Sequence, residues 1–127
     1  MVKSQKGQAT VELAISLTLL MFILFAIIDF GRMFHVYLTL DNASREAARA
    51  AVVGQADIDI IQVVNKTSTT LDSTKINVSI SPSKASRTRG TYATVELTYP
   101  FSFSVPIFNK ILPETIDIKA KTVMRVE

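Results

Sequence analysis

The sequence ELAISLTLLMFILFAII, from Glu12 to Ile28, decides how this chain is organised. After Glu12 it holds 16 residues without a charge, and as a helix these would cover about 24 Å. That length approaches the hydrocarbon core of a bilayer, about 30 Å, and is long for a buried core helix. We therefore predict a membrane-spanning segment at about residues 13–28. Glu12 needs a separate explanation, because a carboxylate at the front of such a run is costly in lipid.

Positive charge is concentrated ahead of this run. The 127 residues carry a net charge of +3, and Lys3 and Lys6 supply two of those units. Lysines before a spanning segment favour a cytoplasmic N-terminus, with the rest of the chain outside. The remaining excess of positive charge is too small to indicate a nucleic-acid partner. The sequence has no cysteine, which excludes disulfides and thiolate metal sites.

The next stretch, DFGRMFHVYLTLDNASREAARAAVVG (29–54), continues the helical pattern. We predict one helix from about Gln8 to Val53, with a soft point at Gly31 and a C-terminal cap at Gly54. Its predicted apolar face contains Phe30, Met33, Phe34, Tyr37, Leu40, Ala47, Ala48 and Ala51. The charged residues assigned to the opposite face are Asp29, Arg32, Asp41, Arg45, Glu46 and Arg49. Their spacing predicts ion pairs within the helix: Asp41 with Arg45, Glu46 with Arg49, and Asp29 with Arg32. Asp29 could instead meet a partner subunit.

The remainder predicts a small head domain. A second helix is expected to start at a capping Asp57, with one face formed by Ile58, Ile61, Val64 and Leu71. Three stretches then alternate apolar and polar residues, at 76–80, 93–99 and 116–126, as strands do. The predicted fold class is therefore α+β: a long N-terminal helix packed on a head with a second helix and a three-stranded antiparallel sheet.

Two segments of the predicted head are irregular. The loop at 84–89 is basic and is expected to be a solvated hairpin loop or a contact for an acidic partner. Prolines bracket the segment 100–113, which should not be regular central strand. Its apolar residues are expected either to pack on the core or to form an adhesive surface: Phe101, Phe103, Ile107 and Phe108.

The sequence offers little for catalysis. His35 is the one histidine, and it lies in the middle of the predicted helix. We find no Ser-His-Asp set, no metal-ligand cluster and no phosphate-binding loop in the sequence. We therefore predict a protein that is not an enzyme and that needs no cofactor or metal.

The residues around Glu12 resemble the start of a type IV prepilin, in which a short basic leader ends in Gly and a glutamate follows five residues later. Gly7 and Glu12 match that spacing. The motifs are similar more narrowly to the TadE-like pseudopilins of the tight adherence (Flp/Tad) pilus system. They are Gly7, Val11, Glu12 and Ala14, then Asp29 to Arg32, then Ala43 with Arg45 to Arg49, and the ending from Thr98 to Glu127.

The resemblance implies three parts: a leader at 1–7, a pilin helix at 8–54, and an outward-facing α+β head at 55–127. It implies cleavage between Gly7 and Gln8 by a membrane prepilin peptidase. The partners would be other pilin and minor pilin subunits and the inner-membrane assembly platform. The implied protein is a single-pass inner-membrane minor pilin that acts in pilus initiation, assembly and adhesion. Gln8 departs from the Phe or small apolar residue that often follows the cut, which bears on methylation of the new amine.

Cleavage before Gln8 would give Glu12 a role. The amine freed at Gln8 carries a positive charge near the same depth, and a buried carboxylate is tolerated when it is paired. Pairing between neighbouring subunits would favour one axial register. Three alternatives stay open: the main subunit of an unusual pilus, a bitopic membrane-anchored binding protein, and a secreted protein with a conventional signal peptide.

Overall fold

A single helix forms the axis of the protein. The computed structural model describes residues 2–127, with the side chains of Val2, Lys3 and Pro106 left undescribed. Helix α1 runs from Val2 to Val52 without interruption, and its 51 residues cover about 77 Å. It begins several residues before the predicted start and passes through Gly31 without a break. The long N-terminal helix is confirmed.

The end of α1 follows the sequence closely. Gly54 adopts a φ of 86°, in the left-handed region that glycine enters without steric cost. Its N–H donates to the carbonyl of Ala51, and the N–H of Gln55 donates to that of Ala50, both at 3.2 Å. These two bonds form a Schellman motif, so Gly54 is the predicted C-terminal cap.

The rest of the chain forms the α+β head. Helix α2 spans Asp57–Thr67, β1 Asn77–Ser81, β2 Tyr92–Phe101, helix α3 Pro106–Ile111 and β3 Ile116–Arg125. The strands form one antiparallel sheet in the order β1-β2-β3. The three-stranded sheet and the second helix are therefore confirmed.

The central strand contains Pro100, within the segment expected to be irregular. Strand β1 pairs with β2 from Asn77 opposite Thr98 to Ser81 opposite Thr94. Pro100 lies past that pairing and has only β3 beside it, opposite Asp117. The proline is thus accommodated where the sheet has narrowed to two strands.

The C-terminal half of α1 covers one face of the sheet. Small residues of α1 let the sheet approach closely, and the alternating residues of β2 and β3 fill the space beneath: Ala43, Ala47, Ala48, Ala51, Ala93, Val95, Leu97, Ile118 and Ala120 are buried. One buried polar link joins the layers: the hydroxyls of Ser44 and Thr122 lie 2.7 Å apart. The other face of the sheet is mostly polar, with residues such as Glu96, Lys119 and Lys121, as is typical of a half-solvated antiparallel sheet.

Two details of the predicted helix faces are wrong. On α1, Leu40 and the predicted alanines are buried as expected, but Phe30, Phe34 and Tyr37 remain about half exposed and Val36, which was not predicted, is buried. On α2 the buried residues are Ile60 and Val64, whereas Ile58 and Ile61 are exposed. Ala56 is the residue at the N-cap of α2, and it forms no side-chain cap hydrogen bond, so Asp57 is not the cap.

Candidate functional site

The hydrophobic half of α1 stands apart from the head over most of its length. One helix among the described residues is long and apolar enough to cross a membrane, and the rest of the chain leaves its apolar window uncovered. Large side chains along it are about half exposed or more, such as Ile15, Leu20 and Ile27. Exposing so much apolar surface to water is unfavourable, so this surface needs lipid or other helices around it.

Near the start of this half lie the residues predicted for processing and pairing. Gln8 and Glu12 are four residues apart in α1 and therefore share a face of the helix. Both are exposed and line one shallow depression together with Val11, Ile15 and Ser16. No side chain that the structure describes forms an ion pair with Glu12. Its carboxylate is thus free to meet a group from outside the chain.

Gly7 has no structural reason to be glycine. It lies in regular helix, and an added Cβ would meet no atom within 4 Å. Glycine in a helix interior costs about 1 kcal/mol relative to alanine. The glycine therefore adds no stability to the fold. This favours a role for Gly7 that lies outside the folded chain.

The other end of the hydrophobic half is fastened to the head through Asp29. This side chain is only 1% exposed, whereas the sequence pattern assigned it to the polar face. Its Oδ2 accepts hydrogen bonds from the backbone N–H groups of Ser104 at 3.0 Å and Val105 at 3.2 Å. Burying a carboxylate is costly unless its oxygens accept hydrogen bonds or pair with a cation. Asp29 has two backbone N–H donors and one cation as partners.

Arg32 completes this junction. Its Nη1 lies 3.2 Å from Asp29 Oδ1 and donates to the Ser104 hydroxyl at 2.7 Å. Its guanidinium also stands over the ring of Phe101, 5.3 Å from the centroid. Arg32 and Asp29 thus hold the chain after β2 against α1. Both residues lie within about one helical turn of the end of the uncharged run.

Aromatic rings fill the space around that junction. We call Phe22, Phe30, Phe101, Phe103 and Phe108 the aromatic cluster. Neighbouring ring centroids lie 5.4–6.4 Å apart, in tilted or edge-on arrangements. The cluster joins the head to the hydrophobic half itself, because Phe22 belongs to the uncharged run.

The charged residues near the end of α1 make only local contacts. Arg45 Nε lies 3.2 Å from Asp41 Oδ2, and Arg49 Nη1 lies 3.7 Å from Glu46 Oε1. All four groups are partly or largely exposed. Surface pairs of this kind contribute about 0.3–0.5 kcal/mol on a helix, so they add little to the stability of this head.

The basic loop at 84–89 is partly buried. Arg87 has a side chain that is 1% exposed, and its Nη2 lies 2.8 Å from Asp57 Oδ1 and donates to the carbonyl of Gln55 at 3.1 Å. It therefore fastens the loop to the start of α2. The expectation of a fully solvated loop is wrong for Arg87, because the pattern gave no sign of a partner 30 residues away.

His35 and a polar cleft lie beside the junction. His35 Nε2 is 3.2 Å from the Thr70 hydroxyl. The cleft has a volume of about 570 Å³ and is lined in part by Arg32, His35, Lys75 and Tyr99. Among the described residues no group of three His, Cys, Asp or Glu could hold a metal ion.

Sequence reasoning missed the partners of Asp29. Ser104 and Val105 contribute through backbone N–H groups, which carry no residue-specific signal. One available signal was the position of Asp29 in the helix, since it lies four residues before Met33 and seven before Val36, both on the covered face.

A comparison with known protein families matches most of α1. Residues 7–49 match the model of a family described as TadE-like protein. The match includes Gly7, Glu12, Asp29 and Arg32, together with the charged block near the end of α1. No curated protein and no solved structure matches the chain. The resemblance is confirmed for the motifs within residues 7–49, so the chain carries a TadE-like segment, consistent with a pilin of a Tad pilus system. The similarity of the ending from Thr98 to Glu127 stays a prediction.

Proposed function

We propose that this chain, a TadE-like protein by its segment 7–49, is a minor pilin that acts in initiation and assembly of a Tad-type pilus and in adhesion. The observation that carries the proposal is the division of α1. Its first half exposes apolar side chains that the described residues leave largely uncovered, while its second half covers one face of the sheet in a small folded head. A subunit that moves from lipid into a bundle of helices needs this division.

The hydrophobic half serves first as a membrane anchor. Lys3 and Lys6 precede it, so the N-terminus lies in the cytoplasm and the head lies outside. In the fibre the same surface packs on other pilin helices. Apolar side chains suit both environments, because neither contains water.

Processing removes residues 1–7. The glycine at position 7 stabilises nothing in the folded chain, which supports its role as the residue read by the prepilin peptidase. The mature chain then starts at Gln8, and the precursor parts are a leader at 1–7, a helix at 8–54 and a head at 55–127.

Glu12 pairs with the new amine of a neighbouring subunit. It is exposed beside apolar residues, and the described part of the chain supplies no cation to it. An unpaired carboxylate would become costly as helices close around it, so pairing favours one axial stagger. The assembly platform in the inner membrane would bring such subunits together.

The first experiment is a measurement of the mass and N-terminal peptide of the protein extracted from membranes, with and without the prepilin peptidase. A peptidase-dependent start at Gln8 is expected. Gly7→Ala should abolish the cut, whereas Gly31→Ala, a matched change in the same helix, should leave it intact. A start at Met1 or Val2 in both strains would favour a bitopic binding protein instead.

A second experiment tests Glu12. Glu12→Ala should leave membrane insertion unchanged and impair piliation, whereas Glu114→Ala, which changes an exposed glutamate of the head, should leave both unchanged. Normal piliation in Glu12→Ala would refute the pairing role. The composition of purified fibres separates minor from main subunit: this chain as the dominant band would favour a main subunit.

A further inference from the structure

The segment between β2 and β3 folds back along the hydrophobic half of α1. Its helix α3, Pro106–Ile111, brings the ring of Phe108 to 6.0 Å from that of Phe22 and to 6.4 Å from that of Phe30. Phe22 lies six residues before Ile28, the last residue of the uncharged run, so the contact is about 9 Å inside the end of that run. The head therefore overlaps the predicted membrane span.

The outward side of this segment is apolar. Ile107 is 49% exposed, Ile111 76% and Leu112 39%, although each would be buried in an ordinary core. Ile107 also forms one wall of a groove of about 530 Å³, whose other wall consists of Ala14, Ile15, Thr18, Leu19 and Phe22 on α1. This groove is apolar and continuous with the uncovered surface of the spanning helix.

We propose that residues 103–112 form a membrane-inserted hook, which places the head directly on the outer surface of the bilayer with lipid acyl chains around Ile107, Ile111 and Leu112. The inference rests on the proposed membrane placement of α1. Lipid is the occupant because the groove shares a wall with the spanning segment, and that wall faces lipid at the same depth. The Phe22 contact, about 9 Å inside the run, lies within the roughly 5–10 Å to which interfacial helices insert, whereas Ile107 lines the groove with Leu19, about 14 Å inside it.

The polar contacts of the hook support this placement. Asp29 accepts the N–H groups of Ser104 and Val105, which fixes the start of the hook on α1 and leaves those two donors satisfied away from water. Lys110 is exposed on α3, and a lysine of this kind can extend its amine to the headgroups while its stem stays in the apolar layer. Arg32 and Lys75 line the cleft just beyond, where anionic headgroups would lie.

The test uses tryptophan as a depth probe, because the chain has none of its own. The full chain is reconstituted in vesicles of phosphatidylethanolamine and phosphatidylglycerol, some containing lipids brominated at known depths. The reporter variant is Ile111→Trp. The control is Ile58→Trp, an exposed isoleucine at the start of α2, at the end of the head far from the hook. A third variant, Leu20→Trp, reports on the spanning segment.

Lipid brominated near the carbonyls should remove more than about half of the Ile111→Trp emission, as expected for an interfacial side chain. Aqueous iodide should quench that variant several-fold less than Ile58→Trp. Iodide quenching equal to that of Ile58→Trp would overturn the hook. Protection from iodide without bromolipid quenching, rising with the protein-to-lipid ratio, would also overturn it and indicate that a second copy covers the surface.

The third variant separates this inference from the proposed function. If lipid brominated deep in the bilayer quenches Leu20→Trp but Ile111→Trp stays in water, the result supports the spanning helix and refutes only the hook. If Leu20→Trp is not quenched either, the membrane anchor and the proposed function fail together with the hook.

Discussion

Asp29 and Ser104 are 75 residues apart in the chain, and the backbone N–H of Ser104 donates to the Asp29 carboxylate at 3.0 Å. This bond and its neighbour from Val105 tie the end of the hydrophobic run to the segment after β2. One buried carboxylate and its cation, Arg32, therefore hold the segment after β2 at the end of the spanning helix, beside the aromatic cluster.

Replacing that carboxylate should loosen the junction. Asp29→Ala leaves two backbone N–H groups without an acceptor in a buried place, and we expect the free energy of unfolding in detergent to fall by about 2–4 kcal/mol. Hydrogen exchange at Ser104 and Val105 should accelerate. The control is Asp41→Ala, which removes a partly exposed pair with Arg45 and should cost under about 1 kcal/mol. Equal losses in the two variants would contradict the anchoring role of Asp29.

The Ser44–Thr122 contact should behave as a coupled pair. Ser44 is fully buried, and its hydroxyl donates to the carbonyl of Asp41 at 2.8 Å, so Thr122 supplies the hydrogen of the 2.7 Å bond between the hydroxyls. Ser44→Ala and Thr122→Val should each destabilise the head by about 1 kcal/mol. The double variant should lose less than the sum, because it leaves no stranded hydroxyl. Denaturant unfolding of all four proteins measures the coupling, and strict additivity would refute it.

Gly31 within α1 and Gly54 just past its end should respond to alanine with opposite changes in stability. Gly31 is in regular helix with open space at its Cβ, so Gly31→Ala should stabilise the protein by up to about 1 kcal/mol. Gly54 has a φ of 86°, so Gly54→Ala should destabilise it by about 1 kcal/mol or more. Thermal unfolding in detergent checks both changes. A loss of stability in Gly31→Ala would mean that the helix needs a soft point there.

Arg87 should matter more than its neighbour Arg89. Arg87→Ala removes a buried guanidinium and its contacts with Gln55 and Asp57, and we expect a loss of about 1–3 kcal/mol, moderated by the exposure of Asp57. Arg89 is exposed in the same loop, and Arg89→Ala should change stability by less than about 0.5 kcal/mol. Denaturant unfolding of the two variants compares them directly, and similar losses would show that the loop depends on net charge alone.

Asp72 should titrate below the usual range for an aspartate. The hydroxyl of Thr74 donates to its Oδ1 at 2.7 Å and the backbone N–H of Thr74 does so at 3.0 Å, and both bonds lower the pKa of Asp72. A lowered folded-state pKa adds stability above the unfolded pKa that is lost as pH falls through the folded one. Thr74→Ala should raise the pKa towards its ordinary value, as an NMR titration would measure. Thr69→Ala, an exposed neighbour, should leave it unchanged.

Much of the architecture could be predicted because it follows local rules. Alternation at Val95 and Leu97 predicted buried strand positions, and Gly54 predicted the end of α1, because strand period and cap geometry depend on neighbouring residues only. The errors arose where two apolar faces compete. Phe30, Phe34 and Tyr37 fit a helical stripe with Leu40 as well as Val36 does, and spacing alone does not say which of these side chains the sheet covers.

The sequence by itself determined an uncharged run of membrane length, the α+β head, and the positions of Gly7 and Glu12 relative to that run, because hydrophobicity and period are properties of consecutive residues. Only the tertiary structure decided that Asp29 is buried, that Arg87 is not solvated, and that Phe108 reaches Phe22. These contacts join residues that are far apart in the chain, and those of Asp29 and Arg87 are made in part to backbone groups, which every sequence supplies. Their formation depends on the path of the chain between the strands, which local propensities do not fix.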